Sequence, residues 1–354
     1  MQKKIIALAV AGLASSAAFA QTNVTVYGTV DMAYVHQSDS VDDANAQNNI
    51  DDGGWDRSRF GLKGTEDLGN GLSASFQQEF GLKADNQNGA TLQRQSFVSL
   101  AGKGWGSIKA GGFWNIVDDV VSGTSAGGGS QVNWGEGVID LSLNTFASNA
   151  VQFDSLDYSG FKFAVGYSSN FTSADESVSG DNLRTWFGGA SYTNGALFVG
   201  ATYTHGSKAS DDVNYDEWLL GASYDFGVAK VGLAYADASL DSDVDFTTSA
   251  LVSIGTNELD RRTWRANVSV PITAKDTVTL SYTDSKLELH DGLSNYDASA
   301  WGIAYMHALS KRTNLYASAY VADANHGFLV LNTDGTNSYD GFETGFKVGV
   351  RHQF

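Results

Sequence analysis

The stretch Val24-Thr-Val-Tyr-Gly-Thr-Val-Asp-Met-Ala-Tyr34 decides the fold, because its side chains change character at every second position. One face of the extended chain carries the apolar side chains of Val24, Val26, Val30, Met32 and Tyr34. The other face carries the polar side chains of Thr25, Thr29 and Asp31. A period of two is that of a β-strand, whereas a helix repeats every 3.6 residues.

The same alternation continues to Phe354, with charged residues such as Arg59, Glu79 and Arg351 on the polar face. It predicts sixteen strands, over 24–36, 54–66, 71–83, 91–101, 105–114, 149–157, 161–170, 183–193, 196–206, 214–225, 228–238, 259–270, 276–287, 296–308, 312–322 and 339–354. A soluble two-sheet sandwich also alternates, but it turns its polar face outward. Here short and long connections alternate between an even number of strands, which is typical of an outer-membrane barrel. The prediction is an all-β, sixteen-stranded antiparallel transmembrane β-barrel.

Composition excludes several other classes. The 354 residues include no Cys, so disulfide frameworks and Cys-ligated metal sites are excluded. The formal net charge of −18 argues against a nucleic-acid partner, which requires a basic face. The single proline suits a chain made of paired strands, because proline cannot donate to a sheet ladder.

The first twenty residues have the order of a secretory signal. Lys3 and Lys4 precede an apolar run, which ends in Ala18-Phe-Ala20. The alternative is an N-terminal membrane anchor, but the apolar run is short. We therefore expect a cleaved signal peptide over 1–20 and a single barrel domain over 21–354, with a net charge of −20 after the two lysines are lost.

One connection is too long for an ordinary loop. Residues 115–148 are rich in Gly, Ser and Asp and lack a strand pattern. A structureless loop of this length needs somewhere to fold. The lumen of a sixteen-stranded barrel is wide enough, so this third long loop is predicted to fold inward.

The chain resembles a Gram-negative general diffusion porin of the β-proteobacterial type. The resemblance is specific in Ser58-Arg-Phe-Gly-Leu-Lys-Gly-Thr-Glu-Asp-Leu-Gly-Asn-Gly-Leu72 and in Val348-Gly-Val-Arg-His-Gln-Phe354. Weaker matches lie at Val24–Asp31, Arg94–Leu100 and Asn149–Phe153. The resemblance implies a trimeric, sixteen-stranded barrel with a water-filled channel that is narrowed by the inward loop over about 115–148.

The same resemblance implies the residues of that constriction. Arg59 and Arg94 match wall arginines of the family, and Arg57 lies on the same face as Arg59. A third arginine of the family is absent, because Phe146 or Ala147 stands in its place. The acidic candidates on the loop are Asp118, Asp119, Glu136 and Asp140. Phe354 matches the terminal phenylalanine that the barrel-assembly machinery reads.

Other site chemistry has little support. Gly123-Thr-Ser-Ala-Gly127 fits the pattern of a nucleophile elbow, but no helix pattern follows it, so no enzyme activity is expected. Asp241, Asp243 and Asp245 begin like a calcium loop but lack its glycine and its final glutamate. No cofactor is expected, although the acidic outer loops leave weak binding of Ca²⁺ or Mg²⁺ open.

These observations predict an outer-membrane porin for passive diffusion of small hydrophilic solutes and ions. The negative charge and the loop carboxylates predict a moderate cation preference. The expected partners are two further copies of the chain, outer-membrane lipid and lipopolysaccharide, the barrel-assembly machinery, and small solutes and cations. The alternatives are a solute-specific channel, a barrel adhesin and an enzyme built on a barrel, and the last lacks a convincing nucleophile and base.

Overall fold

The computed structural model describes residues 24–39, 47–85, 92–126, 142, 145–171, 183–208, 214–240, 259–289, 295–329 and 338–354. These ranges contain one helix, α1 (Ile116–Gly123), and seventeen strands. The strands are β1 (Thr25–Asp39), β2 (Gln47–Asp52), β3 (Arg59–Gly69), β4 (Leu72–Gly81), β5 (Leu92–Gly102), β6 (Gly106–Trp114), β7 (Phe146–Asp154), β8 (Phe161–Ser168), β9 (Leu183–Asn194), β10 (Leu197–Lys208), β11 (Asn214–Asp225), β12 (Lys230–Leu240), β13 (Leu259–Pro271), β14 (Asp276–Leu289), β15 (Asn295–Ala308), β16 (Thr313–Leu329) and β17 (Ser338–Gln353).

The sheet closes on itself. From β3 onward each strand pairs antiparallel with the next, and β1 pairs with both β3 and β17. We call the pairing of β1 with β17 the seam. Its last rung joins Gly28 and Phe354, whose backbones exchange two hydrogen bonds of 3.1 Å. A side chain at position 28 would collide with the ring of Phe354, so glycine lets that ring cover the seam. The predicted sixteen-stranded barrel is confirmed, with β1 and β3–β17 as its wall.

The second wall strand differs from its predicted span of 54–66. It is interrupted. β2 pairs with residues 32–37 of β1 and β3 pairs with residues 25–29, whereas Gly53–Ser58 between them form no strand. We call Gly53–Ser58 the inner strap. Its backbone N–H groups bind Asp31 instead of a neighbouring strand, as described below.

The two faces of the wall match the predicted alternation. Large apolar side chains are exposed on the outer face, among them Val98, Leu100, Leu220 and Val348. Directly paired tyrosines and tryptophans also stack on this face, at Tyr167–Trp186, Tyr203–Trp218, Tyr235–Trp264 and Tyr282–Trp301. The inner face carries polar groups instead, such as Thr263, Arg265 and Asn267 on β13.

The helix α1 is an element that the sequence analysis did not expect. Asn115 caps it by accepting from the Val117 N–H at 2.8 Å, and Ile116, Val117, Val120 and Val121 form its buried face. That face packs on β9, β10 and β11, on the side opposite the exposed Trp218 and Leu220. Residues 115–126 therefore lie against the inner wall, and most of 127–148 falls outside the described residues. No helix within the described ranges has the length and apolar character needed to span a membrane.

Candidate functional site

Two of the predicted wall arginines meet at one buried carboxylate. Glu79 on β4 is only 4% exposed and faces inward. It accepts from Arg94 Nε at 2.6 Å and from the Tyr27 hydroxyl at 3.0 Å, and Arg59 Nε lies 3.6 Å away. A buried carboxylate is stable only when it is paired, and these contacts supply the pairing. Among the described residues, the nearby lysines of the sequence, Lys63 and Lys83, form no ion pair with Glu79.

A β-bulge turns Arg94 inward. The register between β4 and β5 shifts between Gln78 and Phe80, so that two residues of β5, Arg94 and Gln95, lie opposite Glu79. Strict alternation from the exposed Val98 would place Arg94 on the outer face. The bulge reverses this, which is a common use of bulges next to functional sites. The guanidinium then lies 5.6 Å from the centre of the Trp114 ring.

A third arginine joins this group from the last strand. Asp56 of the inner strap binds Arg59 through two contacts of 2.7 and 3.1 Å, and it also accepts from Arg351 at 2.8 Å. Arg351 was not among the predicted site residues, although the alternation of β17 already indicated its inward face. Arg57 is exposed, and no carboxylate of the described residues forms an ion pair with it.

The acidic first turn of α1 lies within the electrostatic reach of Arg94 and Lys109. Asp118 is half-buried and Asp119 is exposed, and neither forms an ion pair with a described residue. Burial, and then the charge of Asp119, raise the pKa of Asp118 to about 7, whereas Arg94 and Lys109 act in the opposite direction. Burial also raises the pKa of Asp119 above its ordinary value, against the effect of Lys109.

Lys109 is a further inward cation that sequence reasoning left out of the site. Its ammonium group lies 3.8 Å from Asp154 and 4.5 Å from the centre of the Phe113 ring. The alternation of β6 was the available signal, since exposed Ile108 marks the opposite face.

The C-terminal end of α1 and the residues after it form hydrogen bonds with three strands of the wall. Asn267 on β13 accepts from the Ala126 N–H at 2.5 Å and donates to the Thr124 carbonyl at 3.4 Å. Ser223 donates to the Gly123 carbonyl at 2.8 Å, and Lys230 donates to the Ser125 carbonyl at 2.8 Å. A side chain at Gly200 would lie 2.8 Å from Val120, so glycine permits the close approach of helix and wall.

Several predicted residues cannot be placed. Glu136 and Asp140 on the loop lie outside the described residues, as do Asp241, Asp243, Asp245 and residues 1–20. The structure does bring Asp51, Asp52 and Asp85 together, with carboxylate oxygens within 4.8 Å of one another. Solvated acidic groups of this kind are common without a cation, so the cluster alone does not define a metal site.

Comparisons with known proteins agree on one family. A family model described as Gram-negative porin matches residues 7–327. An outer membrane porin protein of Bordetella pertussis is 30% identical, and outer membrane porin protein 32 of Delftia acidovorans is 31% identical; each match covers 100% of both chains. Among solved structures, an anion-selective porin from Comamonas acidovorans superimposes with a TM-score of 0.73 at 26% identity, and the match covers 94% of this chain and 100% of that one.

Proposed function

Because this chain belongs to the Gram-negative porin family and is a barrel of the outer membrane, we propose that it is a passive channel for small hydrophilic solutes and ions. One observation carries the proposal. The inner wall presents a set of charged groups joined by ion pairs, running from Arg94 through Glu79 and Arg59 to Asp56 and Arg351. Asp118 of α1 lies within the electrostatic reach of Arg94. A polar wall of this kind suits a wet lumen, where charges near the narrowest part select among ions.

The narrowing is assigned to residues 115–148. The buried face of α1 on β9–β11 and the hydrogen bonds to Asn267 support an inward course for this loop. We propose that Arg59, Arg94 and Arg57 face it across the lumen, with Asp118, Asp119, Glu136 and Asp140 as its charges. Side chains of both signs then border the path of a solute.

The ion preference is proposed to be weak and dependent on pH. The whole-chain charge favours cations, which is the moderate preference expected from the sequence. Two effects weaken this preference. Arg351 and Lys109 add two cations to the wall arginines, and a pKa of about 7 leaves Asp118 only about half charged at neutral pH. The similar porin from Comamonas acidovorans is described as anion-selective, so the comparisons give the cation preference no support.

The assembly is proposed to follow the family as well. Three copies would form the working unit, and the barrel-assembly machinery would read Phe354 after removal of residues 1–20. Lipopolysaccharide and other outer-membrane lipids would contact the exposed apolar and aromatic outer face.

Planar-bilayer recording of the purified full-length protein tests the function. A diffusion channel should give large, ohmic current steps that group in threes. A closed barrel, or a saturable current that is selective for one solute, would contradict passive diffusion and favour an adhesin or a solute-specific channel.

A further inference from the structure

The inner strap is anchored on one carboxylate that faces the lumen side of the wall. Asp31 on β1 has no exposed surface. Its carboxylate accepts from the N–H groups of Trp55 at 3.0 Å and Asp56 at 2.7 Å, and from the Tyr316 hydroxyl. These bonds replace the ladder bonds that the interrupted strand lacks.

The backbone of Asp31 holds the strap at both ends. Its carbonyl accepts from the Gly53 N–H at 2.9 Å, and its N–H donates to the Ser58 hydroxyl at 3.0 Å. Ser58 returns a bond to the same carbonyl at 3.1 Å. Every buried polar group of Asp31 is thus directed at the strap or at Tyr316.

Packing fixes the strap on the inner face of the seam. Trp55 is 4% exposed and packs against Tyr316 of β16, with ring centroids 5.4 Å apart and ring planes at 52°. A side chain at Gly54 would collide with the Tyr316 hydroxyl and lie 2.6 Å from Ala33. The strap therefore crosses β1 on the inside and reaches β16 and β17.

The charge of the strap is directed at the lumen. The side chains of Asp56, Arg59 and Arg351 remain 22%, 19% and 16% exposed. One carboxylate thus holds two guanidinium groups from β3 and β17 in fixed positions, which limits the field that either arginine can exert alone.

The strap faces α1 across the barrel. In the ring of sixteen wall strands, β10 lies eight strands from β1 in either direction. Since α1 packs on β9–β11 and the strap lies over β1, the two elements line opposite walls. Ion pairs run from Asp56 through Arg59 and Glu79 to Arg94, and the charge of Arg94 acts in turn on Asp118 of α1.

We propose that the inner strap is a second constriction element opposite α1, with Asp56 as a selectivity residue and Asp31 as a positioning residue that acts through the strap. The proposal rests on the channel function proposed above. In this arrangement Asp56 moderates the attraction of Arg59 and Arg351 for anions, and Asp31 determines where Asp56 lies.

Cysteine labelling tests the position of the strap, because the chain has no cysteine of its own. Arg57→Cys places a thiol on the strap, and Thr65→Cys places one on the inward face of β3 away from it. Reaction with a bulky neutral thiol reagent should reduce single-channel conductance at position 57 and leave it nearly unchanged at position 65. Unchanged conductance after complete labelling at 57 would overturn the proposal.

Reversal potentials in a KCl gradient test the charges. Asp56→Asn should shift selectivity towards anions, and Arg351→Gln should shift it towards cations. Ser58→Ala changes no charge but loosens the strap, so it should shift selectivity in the same direction as Asp56→Asn. In combination with Asp56→Asn, Ser58→Ala should add little, because both act on the same carboxylate.

A further control separates the two proposals. If no variant and no wild-type protein conducts, the channel function fails, and the strap is then judged by the labelling rate of Arg57→Cys in detergent. Ser58→Ala should raise that rate in folded barrels, identified by their heat-modifiable migration on gels. An equal rate with and without Ser58→Ala, or fully additive effects on selectivity, would refute the anchoring role.

Discussion

Replacing Asp118 by Asn should abolish a pH-dependent step in ion selectivity. Burial and Asp119 raise the pKa of Asp118 to about 7. Its charge therefore changes from about −0.1 at pH 6 to about −0.9 at pH 8. The charges that act on its pKa are the carboxylate of Asp119 and the two cations Arg94 and Lys109. A change of about 0.8 charge in so small a set should be measurable.

The assay is the reversal potential in a KCl gradient at pH 6 and pH 8. Wild type should favour anions more at pH 6, because protonation removes a negative charge. Asp118→Asn should behave at both pH values as wild type does at pH 6. Asp119→Asn should move the midpoint of the step to lower pH, since the charge of Asp119 contributes to the raised pKa.

Two controls sharpen the result. Asp157→Asn removes a carboxylate that is 54% exposed in the turn before β8, and it should leave the step unchanged. Raising the salt from 0.1 M to 1 M shortens the Debye length from about 10 Å to about 3 Å, so the step should shrink. A step of full size in Asp118→Asn would refute the assignment to this carboxylate.

Three further predictions concern other parts of the barrel. Deleting Phe354 removes the last rung of the seam and the ring over Gly28, so the yield of heat-modifiable trimer in outer membranes should fall. Phe354→Tyr should preserve that yield, and a normal yield from the deletion would contradict the assembly role. Deleting residues 123–131 removes the backbone groups that Asn267, Ser223 and Lys230 bind and shortens the inward loop. Single-channel conductance should therefore increase in folded barrels, and an unchanged conductance would place the loop outside the pore. Glu79→Gln leaves Arg59 and Arg94 without their shared charge and should shift the reversal potential towards anions, whereas Glu66→Gln on the outer face of β3 should not.

The sequence predicted the barrel because strand faces repeat every two residues wherever the chain stays regular. It could not place the features that depend on a departure from this rule. The bulge beside Glu79 changes the face of Arg94, so alternation alone could not predict its contact with Glu79. The inner strap interrupts a segment that reads as one strand, because the hydrogen bonds that replace the ladder come from Asp31, more than twenty positions earlier.

The helix α1 escaped prediction for a different reason. Its buried face consists of β-branched residues, Ile116, Val117, Val120 and Val121, which intrinsically favour strands. Asn115 as a cap and acidic residues in the first turn were readable signals for a helix start. The pairing of Asp56 with Arg351 carries no local signal at all, since the two residues lie 295 positions apart.

The rung between Gly28 and Phe354 has a consequence for how the protein is made. β1 precedes the other described strands in the chain, yet its second edge is covered only when β17 pairs with it. Until then an unfinished sheet presents unpaired N–H and C=O groups at both edges, which invites pairing between different chains. Contacts this distant in sequence also form slowly. We therefore expect barrel closure to compete with edge-to-edge association, so that the yield of folded barrel should fall as the concentration of unfolded chain rises.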